Sequence, residues 1–224
     1  SRAVFAELTA LFLRAVGAPS EARPTVRCVS RRDALAILLD ARTRIDDSQL
    51  RAFSASALVE NLVQSGILQP LDLGDRDTSI TLYTVGPQSR DSLNPIEILA
   101  ASVPAGVVCY FTALQFYGLT TQLATHHHIA RLVQRAPAAP RAPASVRVVP
   151  PDSERKPALR DPLGTLLFRY QSLPYYRTDR GRHTLAGPQW RVLNDKTIAH
   201  ITTREQTLLD TLHRPLSCGG PSVV

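Results

Sequence analysis

The amino-acid sequence predicts an α+β protein in two parts, an N-terminal winged helix-turn-helix over residues 1–88 and a mixed α/β domain over 94–224. Three observations predict it. Apolar residues in the first 65 positions recur at helical spacing and are punctuated by capping residues. Two strand-like runs, 67–73 and 79–85, flank the turn chemistry of Gly74-Asp75-Arg76-Asp77. Beyond the polar, turn-rich stretch 86–92, short apolar runs alternate with connections containing Pro and Gly, a mixture of strands and helices and not a repeat.

Val4, Phe5, Leu8, Leu11, Phe12, Ala15 and Val16 mark a first helix that Gly17-Ala18-Pro19 stops. Residues 26–29 are expected to form a short strand. Ser30-Arg31-Arg32-Asp33 opens like a capping box, with Asp where Glu or Gln is usual, and the apolar stripe 34–39 makes this the supporting helix. Ser54 caps the next helix, which Ser65-Gly66 ends. It is read as the recognition helix, with Ala55, Leu58, Val59, Leu62 and Val63 on one side and Ser56, Ala57, Glu60, Asn61 and Gln64 on the other. The two strand-like runs that follow are read as the wing.

In the second part, Asn94-Pro95 starts a helix reaching about Ser102, with Asn as cap and Pro at the first helical position. Residues 107–110 are expected as a buried strand, 112–117 as a helix ended by Gly118, and 129–134, 146–149, 166–171, 191–193 and 197–201 as further strands. The Pro/Ala segment 136–143 suits an exposed arm. A last helix over 203–212 is expected to turn Leu208, Leu209 and Leu212 inward.

The formal charge is +7, and all but Lys156 and Lys196 of the 26 basic residues are Arg. Residues 131–191 hold 12 basic against 4 acidic side chains, a net of +8, so the most basic stretch lies outside the expected DNA reader. Arg forks phosphate and base edges bidentately, and the same bias also follows genome composition. The three cysteines, Cys28, Cys109 and Cys218, are widely spaced and odd in number, which suggests free thiols in a reducing compartment, the cytoplasm. Residues 98–130 carry no charge, yet Pro104, Gly106, Gly118 and three His interrupt them, so a buried sheet and helix are expected there and no membrane span. The chain has no Met, so Ser1 is not expected to be the translational start.

For contact with duplex DNA the candidates are Arg31, Arg32 and Arg51 at phosphates, Ser54, Ser56, Asn61 and Gln64 on the recognition helix, and Arg76 at the wing tip. Glu60 suits that face poorly, because phosphate repels a carboxylate. A second, basic surface for the DNA backbone or a partner is expected from Arg131, Arg135, Arg169, Arg177, Arg180 and Arg182, with Tyr170, Tyr175 and Tyr176 interleaved. The competing reading of each set is an ordinary solvated surface, and it weighs as much as a binding role only for the second. Asp152, Glu154 and Lys156 have the residue types of a metal nuclease, but one intervening residue in a Pro-flanked loop does not bring two carboxylates to one metal. His126 and His128 can share a strand face as metal ligands, with no third ligand nearby in sequence. No phosphate-cradling Gly-rich loop and no nucleophile elbow occurs. Neither a catalytic residue, a metal nor a cofactor is expected.

The segment Phe111-Thr112-Ala113-Leu114-Gln115-Phe116-Tyr117-Gly118-Leu119-Thr120, followed later by Thr203-Arg204-Glu205-Gln206-Thr207-Leu208-Leu209-Asp210 and then by Arg214-Pro215 and Gly219-Gly220, resembles the AbiEi antitoxin family of type IV toxin-antitoxin (abortive infection) systems. That resemblance implies an antitoxin whose winged helix represses its own operon by binding promoter repeats as a monomer or weak dimer. It also implies a second domain that counters a cognate nucleotidyltransferase-type toxin, with or without a stable complex. Two departures stand out: the wing turn lacks the family's basic Arg-Arg-Gly, and the chain stops after Gly219-Gly220 where relatives continue, as a truncated product would. Two alternatives belong to other classes, a nuclease or nucleotide-processing enzyme with an accessory winged helix and a winged-helix protein-interaction module.

Overall fold

The computed structural model describes residues 2–45, 52–75, 79–86, 93–134, 163–185 and 187–220 of the chain. Arg51, Arg76, Arg135, the Pro/Ala segment, the strand expected at 146–149 and the Asp152, Glu154, Lys156 set fall outside the described residues. The fold is α+β.

Helix α1, Arg2–Val16, buries Leu8, Phe12 and Val16. Strand β1, Cys28–Ser30, leads directly into α2, Arg31–Arg44. The expected cap is there in altered form: Ser30 Oγ accepts from the Asp33 N–H at 3.1 Å and donates to Asp33 Oδ2 at 2.8 Å. Helix α3, Ala55–Gln64, starts at Ser54, whose Oγ accepts from the Ala57 N–H at 3.1 Å. It ends where Gly66 takes φ +75° and the Ile67 N–H returns to the Leu62 carbonyl. Leu58, Val59 and Leu62 are buried against α1, α2, Leu68 and Tyr83, a contribution of about 1.5–3 kcal/mol for each large side chain. Strands β2, Leu68–Pro70, and β3, Leu82–Val85, complete an antiparallel sheet of order β1-β3-β2.

The hairpin differs from the expected one at its far end. Leu71 still donates its N–H to the Leu82 carbonyl at 2.9 Å, but beyond it the chain leaves the ladder, Leu71 and Leu73 are buried, and Gly74 pairs through both backbone groups with Arg169 of the second sheet. Apolar side chains, Leu71 and Leu73 on one arm and Leu82 on the other, draw this end onto the larger sheet.

Helix α4, Pro95–Ser102, has the full capping box: Asn94 Oδ1 accepts from Ile96, and Glu97 Oε2 accepts from the Asn94 N–H at 2.8 Å. Strand β4 is only Val107–Val108, because Tyr110, expected in the strand, takes φ +55° and opens α5, Tyr110–Phe116. Strands β5, His127–Val133, β6, Thr165–Tyr170, β7, Leu173–Gly181, β8, Gln189–Asn194, and β9, Thr197–Ile201, join β4 in a sheet of order β6-β7-β5-β4-β9-β8. The β5–β7 and β4–β9 pairs are parallel and the rest antiparallel. Helix α6, Arg204–His213, closes the described chain apart from a 3₁₀ turn at Pro215–Cys218.

Successive residues of β5 point to opposite faces, and each face has its own core. Ile129 joins Leu99 of α4, Leu167, Phe168 and Tyr175 in a cluster that also takes Cys28, Leu71 and Leu82 from the N-terminal part. Ala130 joins Tyr110 and Leu114 of α5 with Leu185 and Cys218. No helix among the described residues is long and apolar enough to cross a membrane.

Two expectations fail on burial. Strand β7 was not foreseen; it sits between β5 and β6, and it buries Tyr175 and Tyr176. Tyr170 is buried too, so none of the three tyrosines offers a ring for stacking. Helix α6 is turned the other way from the one expected: Leu208, Leu209 and Leu212 are 49%, 49% and 69% exposed, while Gln206, Thr207, Asp210 and Thr211 are buried. A buried ionic network described below explains that orientation.

Candidate nucleic-acid interface

Helix α3 has one apolar face and one polar face, and the fold uses the apolar one. Ser54, Glu60, Gln64 and Ser65 are exposed on the other side. Ser56 and Asn61 are half-buried, and each already has a partner within the chain. Ser56 Oγ accepts from Arg31 Nη2 at 3.2 Å, and Asn61 Nδ2 donates to the Ala57 carbonyl one turn earlier at 2.9 Å. The Asn61 amide is therefore tied to its own helix and is less free than the sequence pattern implies. Arg31 and Arg32 are exposed at the N-terminal end of α2, Arg32 within 3.3 Å of Asp33.

The second set does not form one surface. Arg131 forks Asp179 at 2.6–2.9 Å, and Arg177 lies 3.9 Å from the same carboxylate, so these two share one sheet face. The hydrogen bond from Arg131 holds the Asp179 carboxyl below its usual range. Arg169 pairs with Asp75 at 3.2 Å beside the docked hairpin end. Arg180, one residue on from Asp179 and so on the opposite face, is not a surface cation: its side chain is 13% exposed, it forks Asp210, and it lies 5.2 Å from the centre of the Tyr110 ring. Arg182 is exposed in a 3₁₀ turn, with no carboxylate partner among the described residues.

His126, His127 and His128 are all buried. The carbonyls of Ser217 and Leu163 can only accept, so His126 Nε2 and His128 Nε2 donate to them, at 3.1 and 2.9 Å. The two rings meet edge-on at 4.9 Å. Burial pushes all three down from the ordinary histidine value, His127 to about 4 and His128 to about 3. Among the described residues no three His, Cys, Asp or Glu side chains gather to hold a metal ion. The three cysteines are buried free thiols; burial raises all of them, Cys218 to about 12.

The sequence pattern missed the cleft at the N-terminal end of α2, where Arg31 and Arg32 meet Arg131 and Arg177 from β5 and β7. Positions so far apart in sequence give no local signal of that meeting. No protein-family model, curated protein or solved structure matches the chain.

Proposed function

We propose that the chain is a DNA-binding antitoxin and transcriptional autorepressor. On this reading residues 1–88 act as a winged helix-turn-helix on repeats in the chain's own promoter, and residues 94–224 counter a cognate nucleotidyltransferase-type toxin, as the AbiEi resemblance implies. The protein works in the cytoplasm, as a monomer or weak dimer on DNA, without catalysis or cofactor.

The observation that carries the DNA half is the set of α3: its apolar face is buried on α1 and α2, its polar face carries exposed Ser54 and Gln64, and Arg31 reaches across to Ser56 beside it. A helix so held can enter a major groove while α2 meets the backbone. Glu60 on the same face favours a cytosine amino group over phosphate. The hairpin end joined to Arg169 makes the wing a short one, and phosphate contact falls chiefly to Arg31 and Arg32.

Gel-shift titration of the full chain against its own upstream DNA tests this. The expected result is retardation that weakens as salt rises, reduced about tenfold or more by Arg31→Gln, with Gln64→Ala relaxing sequence preference. Retardation that ignores salt, or none at all, overturns the repressor. For the toxin half, co-expression with a neighbouring nucleotidyltransferase restores growth; growth arrest that persists overturns the antitoxin.

A further inference from the structure

Between the N-terminal end of α2 and the six-stranded sheet lies a cleft of about 390 Å3, a size that suits a small organic ligand. Four guanidiniums line it, Arg31 and Arg32 from α2, Arg131 from β5 and Arg177 from β7. Ile80 and Pro104 give it an apolar wall, with Leu82 and Leu167 buried behind it.

Its charge is unbalanced. Among the described residues only two carboxylates come within ion-pair distance of the four guanidiniums: Asp33 serves Arg32, and Asp179 serves Arg131 and Arg177. Arg31 has no carboxylate partner among the described residues and donates to the neutral Ser56 hydroxyl. The Nε of Arg177 is buried without a hydrogen-bond partner, since 3.9 Å to Asp179 is too long for one. A buried guanidinium N–H left in that state favours an acceptor, and planar guanidinium forks fit phosphate oxygens bidentately.

We infer that this cleft binds a small phosphorylated molecule of the nucleotide class, carrying at least two negative charges. Its phosphates sit among Arg31, Arg32, Arg131 and Arg177, and its organic body lies against Ile80 and Pro104. The site needs no DNA, so it stands apart from the repressor reading. Where both hold, Arg31 and Arg32 are shared, and the ligand competes with the operator.

The test is titration calorimetry of the full chain with ADP at about physiological salt, with pyrophosphate as competitor. Saturable one-to-one binding of ADP is expected, displaced by pyrophosphate and weakened about tenfold or more by Arg177→Gln and by Arg32→Gln. Arg32 is largely exposed, so its variant keeps the test open should Arg177→Gln fail to fold. Arg191→Gln removes an exposed charge on β8, away from the cleft, and should leave ADP binding unchanged. The proposal is overturned by lack of saturation up to about 5 mM ADP. Failure of pyrophosphate to displace ADP, pyrophosphate binding without ADP, or an equal loss in Arg191→Gln overturns it too. ADP binding without DNA retardation sinks only the repressor, and retardation without ADP binding sinks only this site.

Discussion

Arg180 of β7 forks Asp210 of α6, Nη1 to Oδ2 at 2.7 Å and Nη2 to Oδ1 at 3.0 Å, with the Asp210 side chain 1% exposed. Gln206 Nε2 adds a third bond to Asp210 Oδ1 at 2.8 Å, and the Tyr110 ring lies under the guanidinium. Helix α6 thus turns its polar face inward because a desolvated carboxylate there must be met by a cation. Asp210→Asn leaves Arg180 uncompensated, so urea unfolding should show a loss of about 3–5 kcal/mol. A loss under about 1 kcal/mol would mean the pair does not hold α6 to the sheet.

The reverse face of the same helix gives the opposite expectation. Leu208 and Leu209 are half-exposed, so Leu209→Gln should change unfolding free energy by no more than about 0.5 kcal/mol. A drop of about 2 kcal/mol or more, the scale of a buried leucine, would show that this face is covered in solution.

Gly164 sits at φ +112°, and a Cβ built there would lie 2.7 Å from the Arg177 carbonyl. Gly66, at φ +75°, has nothing within 4 Å. Alanine at 164 therefore faces both strain and collision with backbone, and at 66 strain alone. Gly164→Ala should cost about 2–3 kcal/mol in thermal or urea unfolding, and Gly66→Ala only about 1. Equal losses would mean that the approach of β6 to β7 at this point can give way.

How much of this was readable beforehand follows the range of the interactions. Ser30, Ser54 and Asn94 cap helices through bonds two or three residues away, and all three starts were predicted from sequence. Strand β7 was missed because Leu173-Pro174 and the charged run 177–180 resemble a loop; its stability comes from β5, 48 residues away, and from buried tyrosines. The inward face of α6 depends on Arg180, thirty residues earlier, and the docked hairpin end on Arg169, so helical periodicity alone assigned the wrong face. On the candidate DNA face, side-chain identities were visible, but the tie of Asn61 to Ala57 and the meeting of four arginines in the cleft required the packed structure.

Acid should unfold the protein through its buried histidines before Asp179 matters. His127 and His128 are held neutral by burial, with folded values near 4 and 3 against about 6.5 when unfolded. The stability this contributes is fully present above about pH 6.5 and is lost as pH falls below it, because the unfolded chain then binds protons that the folded chain refuses. Each such group adds up to about 1.4 kcal/mol per pH unit to the slope in that window. Asp179, its carboxyl lowered by Arg131, gives up its own share only at still lower pH, so the window from about 6.5 to 5 belongs mainly to histidine. Urea midpoints taken at pH 7.5, 6 and 5 should therefore fall steadily, at nearly constant m-value. His128→Gln keeps a hydrogen-bond donor for the Leu163 carbonyl but cannot be protonated, so even a less stable variant should show a shallower decline. A decline as steep as the parent's would assign the acid sensitivity to groups other than this buried histidine.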